Sequence, residues 1–561
     1  MLLVALSLAG VAWSQAPDPR EPGPLPTAVT VIDEGCDYDL DGKSLIWSDP
    51  PFGFTTPTTV VFGDHDYSGS DTRCPGNPAA LVDMEFRVHY PGSAGQIAAG
   101  GPFPLVIFLH GQQNYSIPGY EGYDYLGQLL ASHGFIVASI DGRSLLDSTI
   151  KSRGEHVREH LRRFVARNMP GSGSFLSGQL DLSQVALVGH SRGGDAVVAT
   201  WEWQRMDPDP GYTIRAISAI APVQFFGQVS GEPTFISHIR DVPYQIIHGS
   251  KDGDVSDFQG LRQYDRAADI RAVGETLKSM VFVKDANHNS FNTVWEALEG
   301  DDYCCGGTLA GPVVRDIAKV YIHAFLQVVI KGNSDFVGYL TGEMPNPVEG
   351  TTVALDFQAP GSQFTVLDHH EELPGDTHDR FTNSQGGAIV VTPRITRLTY
   401  QERFLAASEA PPWNSYKGET FAARLAWGQL LDHLTSTYRS EVSVEVAAAL
   451  DPITQDHLSF RVGQVFRATD SPNPTDQNQD FQVRLEDTHG NLSPAVPVSA
   501  YAPIFPPWKT REGGIKTVMG VVRIPLSAFS GIDLRALHAV EFLFTVERAG
   551  EIVFDDIRFT Q

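Results

Sequence analysis

The stretch Leu187-Val188-Gly189-His190-Ser191-Arg192-Gly193-Gly194-Asp195-Ala196-Val197-Val198 runs from apolar residues into a crowd of glycines around one serine. A serine in the pattern Gly189-x-Ser191-x-Gly193 fits a sharp strand-to-helix turn, where larger side chains two residues away would collide. Such a turn lifts the hydroxyl clear of the sheet and sets it at a helix N-terminus, where partial positive charge favours a developing oxyanion. The flanks agree: Val185–Val188 reads as a strand and Asp195–Trp203 as a helix.

The same alternation extends outward from this turn. Leu105–Leu109, Phe135–Ile140, Val185–Val188, Ile214–Ala221, Pro243–Ile247 and Met280–Val283 are short, apolar and bounded by turn residues, as strands buried on both faces are. Helical spacing lies between and after them, in Tyr123/Leu126/Leu130, in Val157/Leu161/Phe164/Val165 and from Val313 to Phe325. This predicts an α/β fold with a mostly parallel sheet flanked by helices. Arg158, Arg162, Arg163 and Arg167 fall on the other side of the second helix and read as a solvated face.

A serine hydroxyl needs a base to act as a nucleophile near neutral pH. Two later strands lead into loops that hold the required groups: His248-Gly249-Ser250-Lys251-Asp252-Gly253-Asp254-Val255, and Asp285-Ala286-Asn287-His288-Asn289-Ser290-Phe291. The chain order Ser191, Asp252, His288 is that of a Ser-His-Asp hydrolase, with each residue at the C-terminal end of a strand. Asp254 competes with Asp252 for the acid, and Asp285 reads as a loop-shaping residue. A neutral imidazole is needed for base catalysis, so activity is expected to fall below about pH 6.

Phe108-Leu109-His110-Gly111, GHSRGG, HGSKDGDV and ANHNSF together resemble the α/β-hydrolase superfamily over about Met84 to Leu326. Within it the chain looks like the secreted branch of dienelactone-hydrolase-like esterases, chlorophyllases, platelet-activating-factor acetylhydrolases and cutinase-like polyester hydrolases. The resemblance implies Ser191 as nucleophile, His288 as base, Asp252 as acid, and the backbone N–H groups of Gln112 and Arg192 as oxyanion hole. It implies no cofactor and no metal.

Beyond about Met344 the texture changes. After the linker-like EMPNPVEG come alternating runs at Thr352–Phe357, Ala388–Val391, Leu458–Val462, Phe481–Leu485, Val518–Ile524, Val540–Val546 and Ile552–Phe559, separated by turn-rich sequence. Many short strands without helices predict an all-β antiparallel sandwich. LSFRVGQ, DFQVRLEDTHGN, RIPLSAF and EIVFDDIRFTQ resemble jelly-roll carbohydrate-binding modules. That resemblance implies polysaccharide as a possible partner, with Trp413, Tyr416, Trp427 and Trp508 as candidate stacking surfaces. The expected organisation is a leader over 1–16, a catalytic unit over 17–345 with an N-terminal extension, and a β-sandwich over 346–561.

The formal net charge of -26 argues against nucleic acid and anionic membrane surfaces as partners. At the N-terminus MLLVALSLAGVAWSQAPDP has an apolar run too short to span a bilayer, closing on Ser14-Gln15-Ala16, which predicts a secretory leader and export. No later run is long and apolar enough for a transmembrane anchor. Cys36, Cys74, Cys304 and Cys305 allow three disulfide connectivities, and spacing alone does not choose among them.

Competing readings are bland. Tyr123, Trp201, Trp203 and Trp295 suit an acyl pocket or ordinary packing; the acidic run from Asp64 to Asp71 reads as a turn rather than a calcium loop. Asp368, His369, His370, Glu371, His378 and Asp379 read as an exposed loop. The expected activity is hydrolysis of a carboxylic ester, free or attached to a polymer, through an acyl-enzyme. A serine peptidase, or a polysaccharide-binding protein with a secondary hydrolase unit, are the alternatives.

Overall fold

Strands that are apolar at every position can sit only where both faces are covered, and here they lie in the middle of the sheet. The computed structural model describes residues 17–561 except 33–35, 40–43, 48–57, 62–80, 114–115, 146–149, 225–238, 268–275, 300–307, 371–381, 392–394, 404, 407–416, 429–435, 451–454, 466–471, 475, 511–513 and 548. The expected leader, the run from Asp64 to Asp71, Cys74, Cys304, Cys305, Glu371, His378, Asp379, Trp413 and Tyr416 lie outside the described residues, as does the side chain of Cys36.

The main sheet has nine strands along its path: β1 (Thr27–Ile32), β2 (Phe86–Ser93), β3 (Phe103–Leu109), β4 (Ile136–Ile140), β5 (Leu180–His190), β6 (Ile214–Ile220), β7 (Tyr244–Gly249), β8 (Lys278–Val283) and β9 (Val353–Gln358). Their order is β1-β2-β4-β3-β5-β6-β7-β8-β9. All neighbours from β4 to β8 are parallel, while β1, β2 and β9 join antiparallel at the edges. The helices α1 (Asp124–Ser132), α2 (Ile150–Asn168), α3 (Arg192–Met206), α4 (Gln259–Arg266), α5 (Thr293–Glu299) and α6 (Gly311–Val329) connect or follow these strands.

Strand periodicity assigns alternate residues to opposite layers. Leu105, Ile107 and Leu109 of β3 enter a core with Val157, Leu161 and Phe164 of α2 and Val197 and Trp203 of α3. Val106 and Phe108 enter the other core, with Leu126 and Leu130 of α1 and Ile317, Val320 and Phe325 of α6. Each of these large side chains stabilises the fold by roughly 1.5–3 kcal/mol on burial. The outward side of α2 is less solvated than its sequence suggests. Arg158 is buried and paired with Glu155 and Asp209, and Arg162 bridges Glu155, Glu159 and Asp209.

The strand expected to open the sandwich belongs to the main sheet instead. Val353–Gln358 pairs antiparallel with β8, Val283 opposite Val353 and Lys278 opposite Gln358. Ala354 packs into one core and Phe357 into the other, so both faces are used. The run expected at Thr352–Phe357 as a sandwich strand is thus an edge strand of the main sheet.

From Phe364 onward two antiparallel sheets pack face to face. One has the order Ile395–Arg403, Lys417–Gly428, Ala549–Thr560, His457–Gln464, Gly520–Pro525, and the other Ile389–Val391, Ser436–Glu441, Leu537–Phe544, Gln482–Asp487, Val496–Pro497. Leu425, Phe460 and Phe554 from the first meet Tyr438, Val483, Leu485 and Phe542 from the second in a common core. Two tryptophans expected as sugar platforms are interior: Trp427 packs on Phe544, and Trp508 on Phe282. Asp368 and His370, expected in an exposed loop, are buried, with His370 Nε2 3.2 Å from Asp368 Oδ2 and Nδ1 3.5 Å from Asp555 Oδ1. No helix among the described residues is long and apolar enough to cross a membrane.

Candidate active site

Ser191 stands between the last residue of β5 and the first of α3, with φ 57° and ψ -123°. For a residue with a side chain this backbone costs on the order of 1–3 kcal/mol, which the surrounding hydrogen bonds must offset. The Ser191 N–H donates to the Ile220 carbonyl at 2.9 Å, and its own carbonyl accepts from the Gly194 N–H at 3.0 Å. The neighbouring glycines are there for space. A Cβ at Gly189 would overlap the Gly193 carbonyl, and one at Gly193 would overlap the Leu109 carbonyl.

Asp252 follows β7 and His288 follows β8. Asp252 Oδ2 lies 2.8 Å from His288 Nδ1, with both side chains buried. The other carboxylate oxygen accepts N–H groups from Val255 at 2.6 Å and Asp254 at 3.0 Å. Burial alone would raise the Asp252 pKa, but the His288 imidazole, His248 and the Val255 N–H outweigh it and hold it below the usual carboxylate value. Asp254 sits elsewhere: its Oδ2 is 3.5 Å from His288 Nε2, and its side chain is 60% exposed. Asp285 pairs with Lys251 and takes a left-handed backbone, consistent with a loop-shaping part.

Ser191 and His288 share neighbours. The His288 ring lies parallel to Trp295, with centroids 6.0 Å apart, and 4.6 Å from the ring of His190, the residue before Ser191. A methyl group placed on Gly111 would lie 2.6 Å from Ser191 Cβ and 3.0 Å from Trp295 Cη2. Gly111 therefore leaves open the gap around which Ser191 and the Trp295–His288 stack are grouped. His190 accompanies them without a charge: desolvation, and then His288 nearby, push its pKa well below the ordinary value.

Gln112 comes directly after the His110-Gly111 turn at the end of β3, and its side-chain oxygen accepts from Arg192 Nη1 and Arg153 Nη2, each at 3.0 Å. The Arg192–Gln112 contact ties the two residues expected to form an oxyanion hole. Arg153 is a residue that sequence spacing missed; it lies on α2, forty-one positions from Gln112, and also donates to the Leu145 carbonyl at 2.8 Å. His248 was also missed as a neighbour of the acid, with Nδ1 3.8 Å from Asp252 Oδ2. Its i,i+4 spacing to Asp252 was the available signal.

Of the aromatics considered for a pocket, Trp295 and Tyr123 are at the site. Tyr123 Oη lies 3.0 Å from His190 Nδ1, and Trp295 Nε1 donates to Gln113 Oε1. Trp203 is part of the core under α3, and Trp201 packs against the same core. Among the described residues, no group of three His, Cys, Asp or Glu side chains is arranged to hold a metal ion.

Residues 87–236 match the family model described as PETase, PET hydrolase-like. An 81-residue stretch is 37% identical to "Cutinase 1" of Thermobifida cellulosilytica and to "Cutinase" of Thermobifida fusca (strain YX). That stretch is 14% of this chain, and 29% and 25% of the two relatives, so the chain spans less than a third of the length of either. The family match begins in β2 and carries past the Ser191 turn, ending before Asp252 and His288. Strand order, elbow and family match agree on an α/β-hydrolase fold for the first part of the chain, followed by a β-rich second part.

Proposed function

We propose that this protein is an exported carboxylic-ester hydrolase that works through an acyl-enzyme, with Ser191 as nucleophile, His288 as base and Asp252 as acid. The observation that carries the reading is the buried 2.8 Å contact between His288 Nδ1 and Asp252 Oδ2, grouped with the strained Ser191 turn.

The chemistry follows from those positions. Ser191 Oγ attacks the ester carbonyl while His288 Nε2 takes its proton, and Asp252 holds the tautomer and stabilises the imidazolium. The tetrahedral oxyanion lies against the backbone N–H groups of Gln112 and Arg192. Arg192 is the first residue of α3, where the partial positive charge of a helix N-terminus favours an oxyanion. Collapse expels the alcohol, which takes the proton from His288. Water, activated by the same imidazole, then attacks the acyl-enzyme and releases the acid.

The PET hydrolase-like match and the two cutinases support an ester substrate, including one carried on a polymer. The expected leader over residues 1–16 supports export.

Ser191→Ala is expected to reduce hydrolysis of p-nitrophenyl butyrate by about 10³-fold or more, with the circular dichroism spectrum unchanged. A fluorophosphonate probe should label the wild type at Ser191 and leave the variant unlabelled. Wild-type turnover by the folded variant would refute the assignment.

A further inference from the structure

The sandwich covers the outer end of the catalytic sheet, and a continuous run of aromatic contacts leads from it to the acid. Trp508, on a short strand (Trp508–Lys509) of a separate three-stranded sheet that accompanies the sandwich in the second part of the chain, is buried and stacks on Phe282 of β8 with centroids 5.3 Å apart and planes 13° apart. Phe282 meets Phe258 edge-on at 5.4 Å, and Phe258 meets His248 edge-on at 5.0 Å. His248 Nδ1 is 3.8 Å from Asp252 Oδ2.

Phe258 matters for a second reason. It has φ 54° and caps α4, so it closes the turn that begins at Asp252. Its N–H donates to the Val255 carbonyl at 3.0 Å, and the Val255 N–H is one of the donors to Asp252 Oδ1. The ring that Trp508 supports through Phe282 therefore belongs to the same turn that holds the carboxylate.

Buried ion pairs fix the two parts against each other beside this aromatic run. Arg461, on the sandwich strand His457–Gln464, lies 2.6 Å from Asp356 of β9 and 3.7 Å from Asp265 of α4. Charges buried this deeply tolerate little displacement, because a moved partner leaves the other desolvated and unpaired.

We propose that the sandwich braces the acid–histidine side of the site, with Trp508 as a positioning residue that acts through Phe282, Phe258 and His248 on Asp252. The proposal rests on the ester-hydrolase reading of Ser191, Asp252 and His288. Interiors are packed like organic crystals, so loss of one ring from a stack lets its neighbours shift. A shift of about 1 Å in a catalytic group costs on the order of a hundredfold in rate. Retreat of the Asp252 carboxylate from Nδ1 also weakens its hold on the imidazolium, so the acid limb of the rate profile moves to lower pH.

The test uses the full chain with p-nitrophenyl butyrate, comparing wild type, Trp508→Leu and Trp508→Phe. Leucine retains an apolar side chain in a folded protein but removes the stacked ring; phenylalanine restores a ring. The expected result for Trp508→Leu is a fall in kcat of about tenfold, with KM within about twofold and the acid limb lowered by about half a pH unit. Trp508→Phe should recover most of both effects. A folded Trp508→Leu with wild-type kcat and an unmoved acid limb overturns the brace, as does a loss that Trp508→Phe fails to recover. Phe258→Leu repeats the measurement from inside the catalytic unit if Trp508→Leu does not fold, and the same unchanged profile there counts against the proposal. Fluorophosphonate labelling of the wild type reads the triad separately. A wild type that takes no label sinks the ester-hydrolase reading and the brace with it, whereas a labelled wild type beside an unaltered Trp508→Leu sinks the brace alone.

Discussion

Two carboxylates lie near His288, and only their geometry tells their roles apart. Asp252 meets Nδ1 and is buried, with two backbone N–H groups on its other oxygen; Asp254 reaches toward Nε2 from solvent. In the proposed triad the base needs its Nε2 side open to the serine and substrate, which favours the carboxylate on Nδ1 as the acid. Asp252→Asn is expected to lower kcat by about 10³–10⁴-fold through the wrong imidazole tautomer. Asp254→Asn should change it by no more than about fivefold, the scale of an exposed ion pair. Steady-state rates with one ester decide the matter, and equal losses in the two variants would remove the distinction. In sequence, Ser191, Asp252 and His288, the proposed triad, stand out because each comes at or shortly after the end of an apolar strand. The preference for Asp252 over Asp254 comes from the family resemblance, since by spacing alone both lie in one turn and differ only in which side of the ring they reach. Arg153 is invisible to spacing because α2 brings it to Gln112 from elsewhere in the chain.

At the scale of an element, α2 carries two histidines on its inward face. His156 and His160 are fully buried, with rings 4.6 Å apart at 89°, and His156 Nε2 lies 3.0 Å from the Asp141 carbonyl. Desolvation lowers the His156 pKa to about 4, partly opposed by Asp141, and takes that of His160 well below its ordinary value. Arg153, His110, Arg163 and Arg167 face the pair and disfavour a further charge. Both folded-state values lie below the unfolded one, so the unfolded chain binds more protons in this range. The stabilisation is complete above about pH 6.5 and is lost as pH falls toward 4. Melting temperature is expected to decline over that window, and a His156→Gln/His160→Phe variant should decline less steeply. Parallel curves for variant and wild type would refute it. Elements differ in how plainly the sequence shows them. The central strands are buried and mostly apolar, and β3, β6, β7 and β8 read close to their observed limits. Ser436–Glu441 was missed because its inward residues are Ser436, Tyr438 and Ser440, and two buried serines hide the alternation.

At the scale of the whole molecule, the second unit completes the first. Thr352–Phe357 reads as a sandwich strand because apolar–polar alternation reports a half-covered strand without naming the sheet it joins. In the fold it closes the edge of the catalytic sheet. Trp508 and Val518 lie in the core shared with α2 and α3, and Val521 lies in the other. Glu343, ahead of the last sheet strand, is paired with His457 and Arg523 of the sandwich. Burial would raise its pKa, but those two partners bring it down to about 2. Shared cores and buried pairs couple unfolding, so calorimetry is expected to show a single cooperative transition rather than two. A chain cut after residue 345 would lose β9 and uncover Phe282 and Met280, and it should aggregate or give a broad melt. Arg461→Met should lower the stability of the intact chain by about 3–5 kcal/mol, because it removes the guanidinium that lies 2.6 Å from the buried Asp356 carboxylate. Two separate transitions, or a soluble and fully active 17–345 fragment, would show that the sandwich is an independent attachment.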